Sequence, residues 1–482
     1  MTQSQTAPIF NYASLDAPVV FHQGKAITLA QLLQTVEVLA ETVPKHQHIL
    51  NLYENRYYFL LGLLLALRQK SISLFPSTVT THVLTQLKEN YTDILLLTDT
   101  IDSLYDFHPD DFEHFDIADF VKNNEDQRSN INHHTFSNDS LPEIELQRQI
   151  AIIFTSGSTG HPEPYTKLWG DLVSVAHYLS KEFLSKVPDK NKLSAVLATV
   201  PAQHMYGLEA SIIMPLQNGL LLHADKPFFP QDITHCLEDL KEFAQHSEQL
   251  IMTTVISTPL HLKACIKTEV SLPGVKQFIS ATAPLERDLA QLCETRYSAR
   301  VMEIFGCTEV GSMAWKRTIE SEQWIVLDDI SLESDNNNEV HINTSRSIKH
   351  FLFNDIVDLI DSKHFLLKGR KEDLINQAGK RTSLSYLNYH LQSYNDLHDA
   401  CFYQDDSMLE PRLVAFVVLK EPAISEQQKK QKSKAIRNYL QNKIEAVFLP
   451  KRIYFVNDLP RNATGKLPLS QLKNLLLQQE AP

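Results

Sequence analysis

The sequence predicts an α/β protein, with a large N-terminal domain of layered α/β subdomains followed by a small α+β domain. Three observations carry this. Apolar runs of strand length, among them "HILNLY", "DILLLTD", "LSAVLATV" and "LIMTTVIS", alternate with stretches whose apolar residues recur at helical spacing, the pattern of strands layered with helices. The chain has 482 residues, more than a single hydrophobic core organises, since cores stop growing at about 250–300 residues. Beyond Gly369 the composition shifts to a mixture of short strands and charged helix, which sets off a smaller C-terminal unit.

The elements follow in order. From Ile27 to Glu41 apolar residues recur at helical spacing behind Thr28, a residue type that caps helices. "HILNLY" is a strand, and Arg56 to Gln69 an apolar helix. Its apolar run, Tyr57 to Leu67, is about half of the ~20 residues a membrane span needs, so a buried helix is expected. Asp93 to Asp99 is the next strand, and the stretch from Ile101 to Pro142, rich in Asp, Asn and His, reads as irregular surface chain. A helix at Leu168 to Glu182 leads to strands at "LSAVLATV", Leu250 to Ser257, Lys276 to Leu285 and "RVMEIFG". From Trp324 to Phe365 apolar and polar residues alternate over short segments, which predicts antiparallel strands. Then "AFVVLK" and "KRIYFV" are strands and Ser425 to Phe448 a long helix. There is no internal repeat.

Bulk properties exclude several classes. Hydrophobic residues at 43% and charged residues at 21% describe an ordinary folded protein. A net charge of -13 argues against general nucleic-acid binding, which needs clustered basic residues. Cys236, Cys265, Cys293, Cys307 and Cys401 show no C-x-x-C spacing, so neither a zinc site nor a disulfide framework is indicated, and a reducing cytoplasm is expected. The start, "MTQSQTAPIFNY", lacks the basic and apolar regions of a secretion signal.

Four segments carry candidate chemistry. "IIFTSGSTGHPEPYTK", Ile152 to Lys167, is an apolar strand entering a loop in which Gly157 and Gly160 permit close backbone approach while Ser156, Ser158 and Thr159 add hydroxyls to their amides, a composition suited to an anion. A Walker-type loop has Lys directly after its last glycine; here that residue is His161, which disfavours a P-loop NTPase. "FGCTE", Phe305 to Glu309, ends a strand with the Thr308 hydroxyl and the Glu309 carboxylate, oxygen donors for a phosphate and for Mg²⁺. "LKGRKEDLINQAGKR", Leu367 to Arg381, taken alone also fits a charged turn. "LPRNATGKLPL", Leu459 to Leu469, sets Lys466 at the tip of a Thr-Gly turn between prolines; alone it also fits a solvated lysine.

Together, in this order, the segments resemble the adenylate-forming superfamily of acyl-CoA synthetases, peptide-synthetase adenylation domains and luciferases. Thr155 to Pro162 matches its phosphate loop [ST]-S-G-[ST]-T-G-x-P-K up to the final lysine, "FGCTE" is similar to its Y-G-x-T-E, "GRKEDLINQAG" to its hinge segment, and "PRNATGKL" to its P-R-T-x-x-G-K. The likeness spans nearly the whole chain. It implies an N-terminal domain, 1–371, holding ATP and the acid, and a mobile C-terminal domain, 372–482, carrying the catalytic lysine.

Carried over residue by residue, the resemblance implies Thr155, Ser156, Gly157, Ser158, Thr159 and Gly160 on the ATP phosphates. It implies Thr308 and Glu309 on phosphate and Mg²⁺, and Lys466 as the cation at the reacting centre. Asp355, with Asp358 as the alternative, and Arg370 would contact the ribose. His204 in "PAQHMYG" and Gly311 would border the acyl pocket. "SATAPL" stands where the family has S-G-G-A-P-L, so Ala281 and Thr282 add bulk where adenine and the acyl group are expected. Glu372 would be the hinge and Gly379 part of a thiol tunnel. The departure is Glu163, where the family has lysine; Lys167 is the nearest substitute.

The implied reaction joins a carboxylic acid to ATP as acyl-AMP and then to a phosphopantetheine thiol of CoA or an acyl carrier protein, with no nucleic-acid or membrane partner. Lys167 followed two residues later by Trp169 resembles the AMP ligases of aryl polyene-type pathways, which points to a hydroxybenzoate- or hydroxycinnamate-type acid. A medium-chain fatty acid is the alternative acid, and a non-catalytic acyl-adenylate or nucleotide sensor the alternative class. A basic face at Lys429, Lys430, Lys432, Lys434 and Arg437 fits either an acidic carrier or CoA phosphates, or plain solvation.

Overall fold

The computed structural model describes residues 5–76, 79, 81–98, 112–124, 141–155, 163–184, 191–336, 339–353, 355–370, 374–377, 380–405, 412–421, 425–441, 443–444, 446–461 and 467–480; for 81, 82, 155, 370, 374, 376, 377, 380–383, 385, 386 and 426 it describes the backbone alone. The chain divides into two compact units, Met1–Ser331 with Asn343–His350, and Leu332–Ile342 with Phe351–Pro482. The expected α/β layering is present.

After a short strand at Thr6–Pro8, the first unit has a hairpin, β1 (Pro18–His22) and β2 (Lys25–Thr28), leading into helix α1 (Leu29–Thr42). Thr28 caps it as expected, accepting the Gln31 N–H at 3.3 Å while the Gln31 side chain accepts the Thr28 N–H at 2.9 Å. Then come β3 (His48–Asn51), α2 (Arg56–Gln69), β4 (Ile72–Phe75), α3 (Thr81–Asn90), β5 (Ile94–Leu97), β6 (Glu113–Phe115), α4 (Ile117–Asn123), β7 (Gln149–Thr155) and β8 (Glu163–Leu168). These strands form a sheet in the order β8-β7-β4-β3-β5-β6, parallel except for the antiparallel hairpin β7–β8. Helix α2 is buried along most of its length, which explains its lack of a polar face.

The stretch from 101 to 142 is not uniformly irregular. Within it β6 extends the sheet and α4 packs Ile117 and Val121 into the core, with Asp116 capping the helix and the Tyr53 hydroxyl bonded to Asp116 at 2.9 Å. Short elements anchored by distant partners leave little periodicity to read. Residues 101–111 and 125–140 lie outside the described ones.

After α5 (Trp169–Phe183) a second sheet is built from β9 (Lys192–Ala198), β10 (Leu221–His223), β11 (Leu250–Ser257), β12 (Val275–Ser280), β13 (Arg300–Cys307), β14 (Gly311–Lys316) and β15 (Trp324–Val326), with α6 (Pro230–His246), α7 (Pro259–Lys267) and α8 (Arg287–Tyr297) as crossovers. Its order here is β15-β14-β13-β12-β11-β9-β10-β1-β2, and β1, β10, β9, β11, β12 and β13 run parallel. Parallel strands joined by helices bury both faces, which matches the near-continuous apolar runs in the sequence. The strand expected at Lys276 to Leu285 ends at Ser280. A helical run, Met205–Leu208, Glu209–Ile213 with π-type bonding and Met214–Asn218, connects β9 to β10. Buried Arg56 donates to the Ser211 hydroxyl at 3.2 Å and to the carbonyls of Val200 and Asp225, tying α2 to this region.

In the second unit β16 (Asp355–Leu359) pairs antiparallel with β17 (His364–Arg370), and β18 (Leu374–Gln377) with β19 (Lys380–Ser383). Then α9 (Leu384–Gln392), β20 (Leu397–Asp405), β21 (Arg412–Leu419), α10 (Glu426–Gln441), β22 (Arg452–Phe455) and α11 (Leu469–Glu480) make a three-stranded sheet with apolar cores on both sides. Helix α10 stops at Gln441, short of the expected Phe448, and a single 3₁₀ turn at Ala446–Phe448 follows. Its basic face is partly spoken for: Lys432 pairs with Asp396, and Arg437 donates to the Lys451 carbonyl at 2.7 Å.

Among the described residues no helix is long and apolar enough to cross a membrane, and the five cysteines form no disulfide. Cys236 does lie with His223 and Asp225, their ligand-type atoms within 4.8 Å of one another. But His223 Nδ1 already accepts the Asp225 N–H at 3.1 Å, and burial pushes the Cys236 thiol up to about 12, so both are held as neutral groups. Replacing Thr28 by Ala removes the oxygen that accepts the Gln31 N–H and is expected to destabilise the N-terminal unit by ~1 kcal/mol, read as a lower urea midpoint of its unfolding transition.

Candidate functional site

The hairpin β7–β8 presents the first motif. Its register pairs Thr155 with Glu163 at the loop end and Ala151 with Lys167 farther down. Strand β7 is apolar from Ile150 to Phe154 and buried. Ser156, Gly157, Ser158, Thr159 and Gly160, together with His161 and Pro162, lie outside the described residues, and Thr155 is described in its backbone only.

Lys167 is buried, with 2% of its surface exposed. Its ammonium donates to the carbonyl oxygen of Thr308 and, at 2.9 Å, to that of Glu309. Burial pulls its pKa below the ordinary lysine value, while the nearby Glu209 carboxylate, and less strongly Glu309, oppose that shift. This cation of the first motif therefore grips the second.

Thr308, Glu309 and Val310 form the tip of the hairpin β13–β14, in which Cys307 faces Gly311 and Gly306 faces Ser312. The tip is strapped from two further directions. Glu209, 1% exposed, accepts the Ser312 N–H at 2.9 Å and the Ser312 hydroxyl at 2.6 Å on one carboxylate oxygen. Its other oxygen, Oε1, is buried and has no hydrogen-bond partner among the described residues. Burial raises the Glu209 pKa, opposed by the Ser312 bonds and by the Arg346 charge. Arg346 donates to the carbonyls of Val310 and Ser312, both at 2.8 Å, and is itself paired with buried Asp329 at 2.7 Å. Gly311 has φ +90°, and a Cβ there would sit 2.1 Å from Glu209 Oε1, so the position admits only glycine.

The parallel strands β9, β11, β12 and β13 end on one side of their sheet, where α/β folds bind ligands. Polar groups collect there. Thr199 and Ser257 share a hydroxyl hydrogen bond of 3.0 Å, and the Tyr206 hydroxyl donates to the Ile279 carbonyl at 2.7 Å. His204, half-buried, caps the helical run that holds Tyr206, Gly207 and Glu209, and its carbonyl accepts the Leu208 N–H at 2.8 Å. A Cβ on Gly207 would fall 1.9 Å from the Pro201 carbonyl, so the run is seated closely against the end of β9. Ala281 is buried directly after β12, and Thr282 beside it is exposed. His204 thus begins this helical run and Gly311 meets it at Glu209, while Ala281 and Thr282 directly follow β12.

In the second unit Asp355 and Arg370 are directly opposite residues of β16 and β17, with Arg370 described in its backbone only. Asp358 pairs with Lys368 at 3.2 Å. Glu372, Gly379 and Lys466 lie outside the described residues. Glu209 and Arg346 were missed by sequence reasoning. A single acid inside the apolar run "LEASIIMPL" was a readable sign of the first; "NTSRSIK" offered none for the second.

Thr282 has φ +76°, a left-handed conformation that a β-branched residue occupies at a cost of ~1–3 kcal/mol. Replacing it by Gly is expected to stabilise the protein by ~1 kcal/mol, because relief of that strain exceeds the entropy glycine adds to the unfolded chain. Calorimetric melting of the variant against the parent checks this.

Comparison with known proteins agrees with this geometry. Residues 14–363 match the AMP-binding enzyme family and residues 391–466 its C-terminal domain. The chain is similar to the 4-coumarate–CoA ligase of Cereibacter sphaeroides, 25% identical over 320 residues that cover 65% of this chain and 69% of the relative. Its fold is that of the O-succinylbenzoate coenzyme A synthetase of Bacillus subtilis solved with AMP, with a TM-score of 0.76 at 15% identity over 97% of this chain and 98% of that one. An anthranilate CoA ligase solved with anthranoyl-AMP gives a TM-score of 0.74 at 14% identity, over 98% of both chains. The chain belongs to the AMP-binding enzyme family of the adenylate-forming superfamily, and is an AMP-forming acid:thiol ligase.

Proposed function

We propose that the enzyme activates an aromatic carboxylic acid, of hydroxybenzoate or hydroxycinnamate type, and transfers it to the phosphopantetheine thiol of CoA or of an acyl carrier protein, the latter as in an aryl polyene-type pathway. The observation that carries the reading is the strapped hairpin tip that offers Thr308 and Glu309 beside the parallel strand ends. Relatives named for coumarate, succinylbenzoate and anthranilate support an aromatic acid.

The tip fits Mg²⁺. Thr308 and Glu309 are half-buried and contribute a hydroxyl and a carboxylate, hard oxygen donors of the kind that ion takes together with nucleotide phosphates. The ion when bound would offset charge on the departing pyrophosphate. The chain's own residues do the rest. Thr155 to Gly160 hold the β and γ phosphates by amides and hydroxyls, and Asp355 and Arg370 hold the ribose. The acid lies among His204, Ala281, Thr282 and Gly311.

A carboxylate oxygen of the acid attacks the α-phosphorus of ATP. The new P–O bond forms as the bond to the β-phosphate oxygen breaks, and pyrophosphate leaves. No base is needed, since the nucleophile is already ionised. Lys466 stabilises the charge shared by carboxylate and α-phosphate. The C-terminal domain, 372–482, then turns about Glu372, withdrawing Lys466 and bringing Gly379 to the thiol path. The thiol sulfur attacks the acyl carbon, the C–O bond to AMP breaks, and the thiol proton passes to solvent.

The test is pyrophosphate release with a panel of aromatic and medium-chain fatty acids, using CoA and a pantetheinylated carrier protein as acceptors. Release that depends on an aromatic acid is expected, and Lys466→Ala is expected to lower it by about 10²–10³ while thioester formation from supplied acyl adenylate survives. Release only with fatty acids overturns the aromatic reading, and no release with any acid overturns the ligase reading.

A further inference from the structure

We infer that Lys167 is a positioning residue for the hairpin tip: it takes no phosphate itself but fixes Thr308 and Glu309 by their backbone carbonyls, so that the hairpin of the phosphate loop and the metal-side loop move as one piece. This rests on the reading that Glu309 holds Mg²⁺.

The geometry separates this role from that of a loop lysine. Glu163 begins β8 at the loop end and Lys167 lies four residues down the strand, about 13 Å away at ~3.3 Å per residue. Strand alternation places Glu163, Tyr165 and Lys167 on one side of β8, and the Tyr165 hydroxyl donates to the Glu163 carboxylate at 2.8 Å, which makes this side a polar row running down from the loop. At its far end Lys167 passes out of solvent and uses two of its three N–H donors on the tip. The contact joins the edge strand of the six-stranded sheet to the β13–β14 hairpin of the other sheet, 141 residues away in sequence.

Among the described residues the partners divide the tip, and the backbone carbonyls of Thr308 and Glu309 fall to Lys167. Arg346 takes the carbonyls of Val310 and Ser312, and Glu209 takes the N–H and hydroxyl of Ser312. Those contacts hold the C-terminal half of the tip and its return strand. The carbonyls of Thr308 and Glu309 are held by Lys167. Without the ammonium they would lose buried donors, and the backbone bearing the Thr308 hydroxyl and the Glu309 carboxylate would be free to turn. Groups that orient a metal ligand from behind typically change metal affinity by about 10–100-fold when removed.

The test uses the full chain and binding of ATP measured by calorimetry with no acid present, once with excess Mg²⁺ and once with a chelator, so that the magnesium-dependent gain in affinity is read without turnover. Lys167→Met is expected to cut that gain by about 10–100-fold and to leave ATP binding in chelator within about twofold. In a Glu309→Gln background, where the gain is already lost, Lys167→Met should change nothing more. If Lys167→Met does not fold, Lys167→Gln, which keeps an N–H donor without the charge, is measured in its place. Equal weakening with and without Mg²⁺, or a full additional loss in the Glu309→Gln background, assigns Lys167 a structural role only and overturns the inference. If Glu309→Gln itself keeps the magnesium gain, the metal reading fails first and the inference with it; if Glu309→Gln abolishes the gain while the Lys167 variant keeps it, the inference alone fails.

Discussion

The candidate site depends on one interaction, a buried ammonium held by two backbone carbonyls. Lys167 sits in the first motif and Thr308 and Glu309 in the second, in different sheets. Taking a lysine out of water is costly unless its donors are satisfied. Charge-assisted hydrogen bonds of about 1.5–3 kcal/mol each offset that cost, and the nearby Glu209 carboxylate favours the charged form. Arg346 repeats the arrangement on the carbonyls of Val310 and Ser312, and Glu209 accepts the Ser312 N–H and hydroxyl. Three polar side chains from three parts of the chain thus converge on the five residues 308–312.

That convergence leaves no room for side chains in the tip and its seat. Gly311 would drive a Cβ into Glu209, Gly306 into the Gly311 carbonyl at 2.4 Å, and Gly207 into Pro201. The helical run bearing His204 and Glu209 widens to π-type bonding at Glu209–Ile213. The extra residue in that turn coincides with the position where Glu209 reaches across to Ser312. Thr282, by contrast, occupies an open but left-handed position and stores strain at the rim of the strand ends.

Much of the fold was legible because buried parallel strands leave continuous apolar runs: "LIMTTVIS" became the strand Leu250–Ser257 residue for residue. The Thr28 cap was legible because its chemistry is local. The short strand and helix within 113–123 were not, since they are short and are tied down by the distant Tyr53 hydroxyl. At the site, the motifs announced Thr308 and Glu309, and the glycine at 311 came with them. What the motifs do not encode is what holds them. Lys167 read as a replacement for a missing loop cation, yet its ammonium meets carbonyls 141 and 142 residues away. Arg346 has no sequence mark at all, because a side chain that bonds to backbone carbonyls places no demand on the identity of its partners.

The claim that the site activates a carboxylate at the α-phosphorus of ATP is tested most directly by isotope transfer. With a carboxylic acid accepted by the enzyme, labelled with ¹⁸O in both carboxylate oxygens, together with ATP, Mg²⁺ and the thiol acceptor, the attacking oxygen becomes the bridge of the acyl adenylate and stays with phosphorus when the thiol cleaves the C–O bond. Mass spectrometry should find one ¹⁸O in each AMP released and none in pyrophosphate. Label in inorganic phosphate with ADP as the nucleotide product, or AMP without label, would contradict the account.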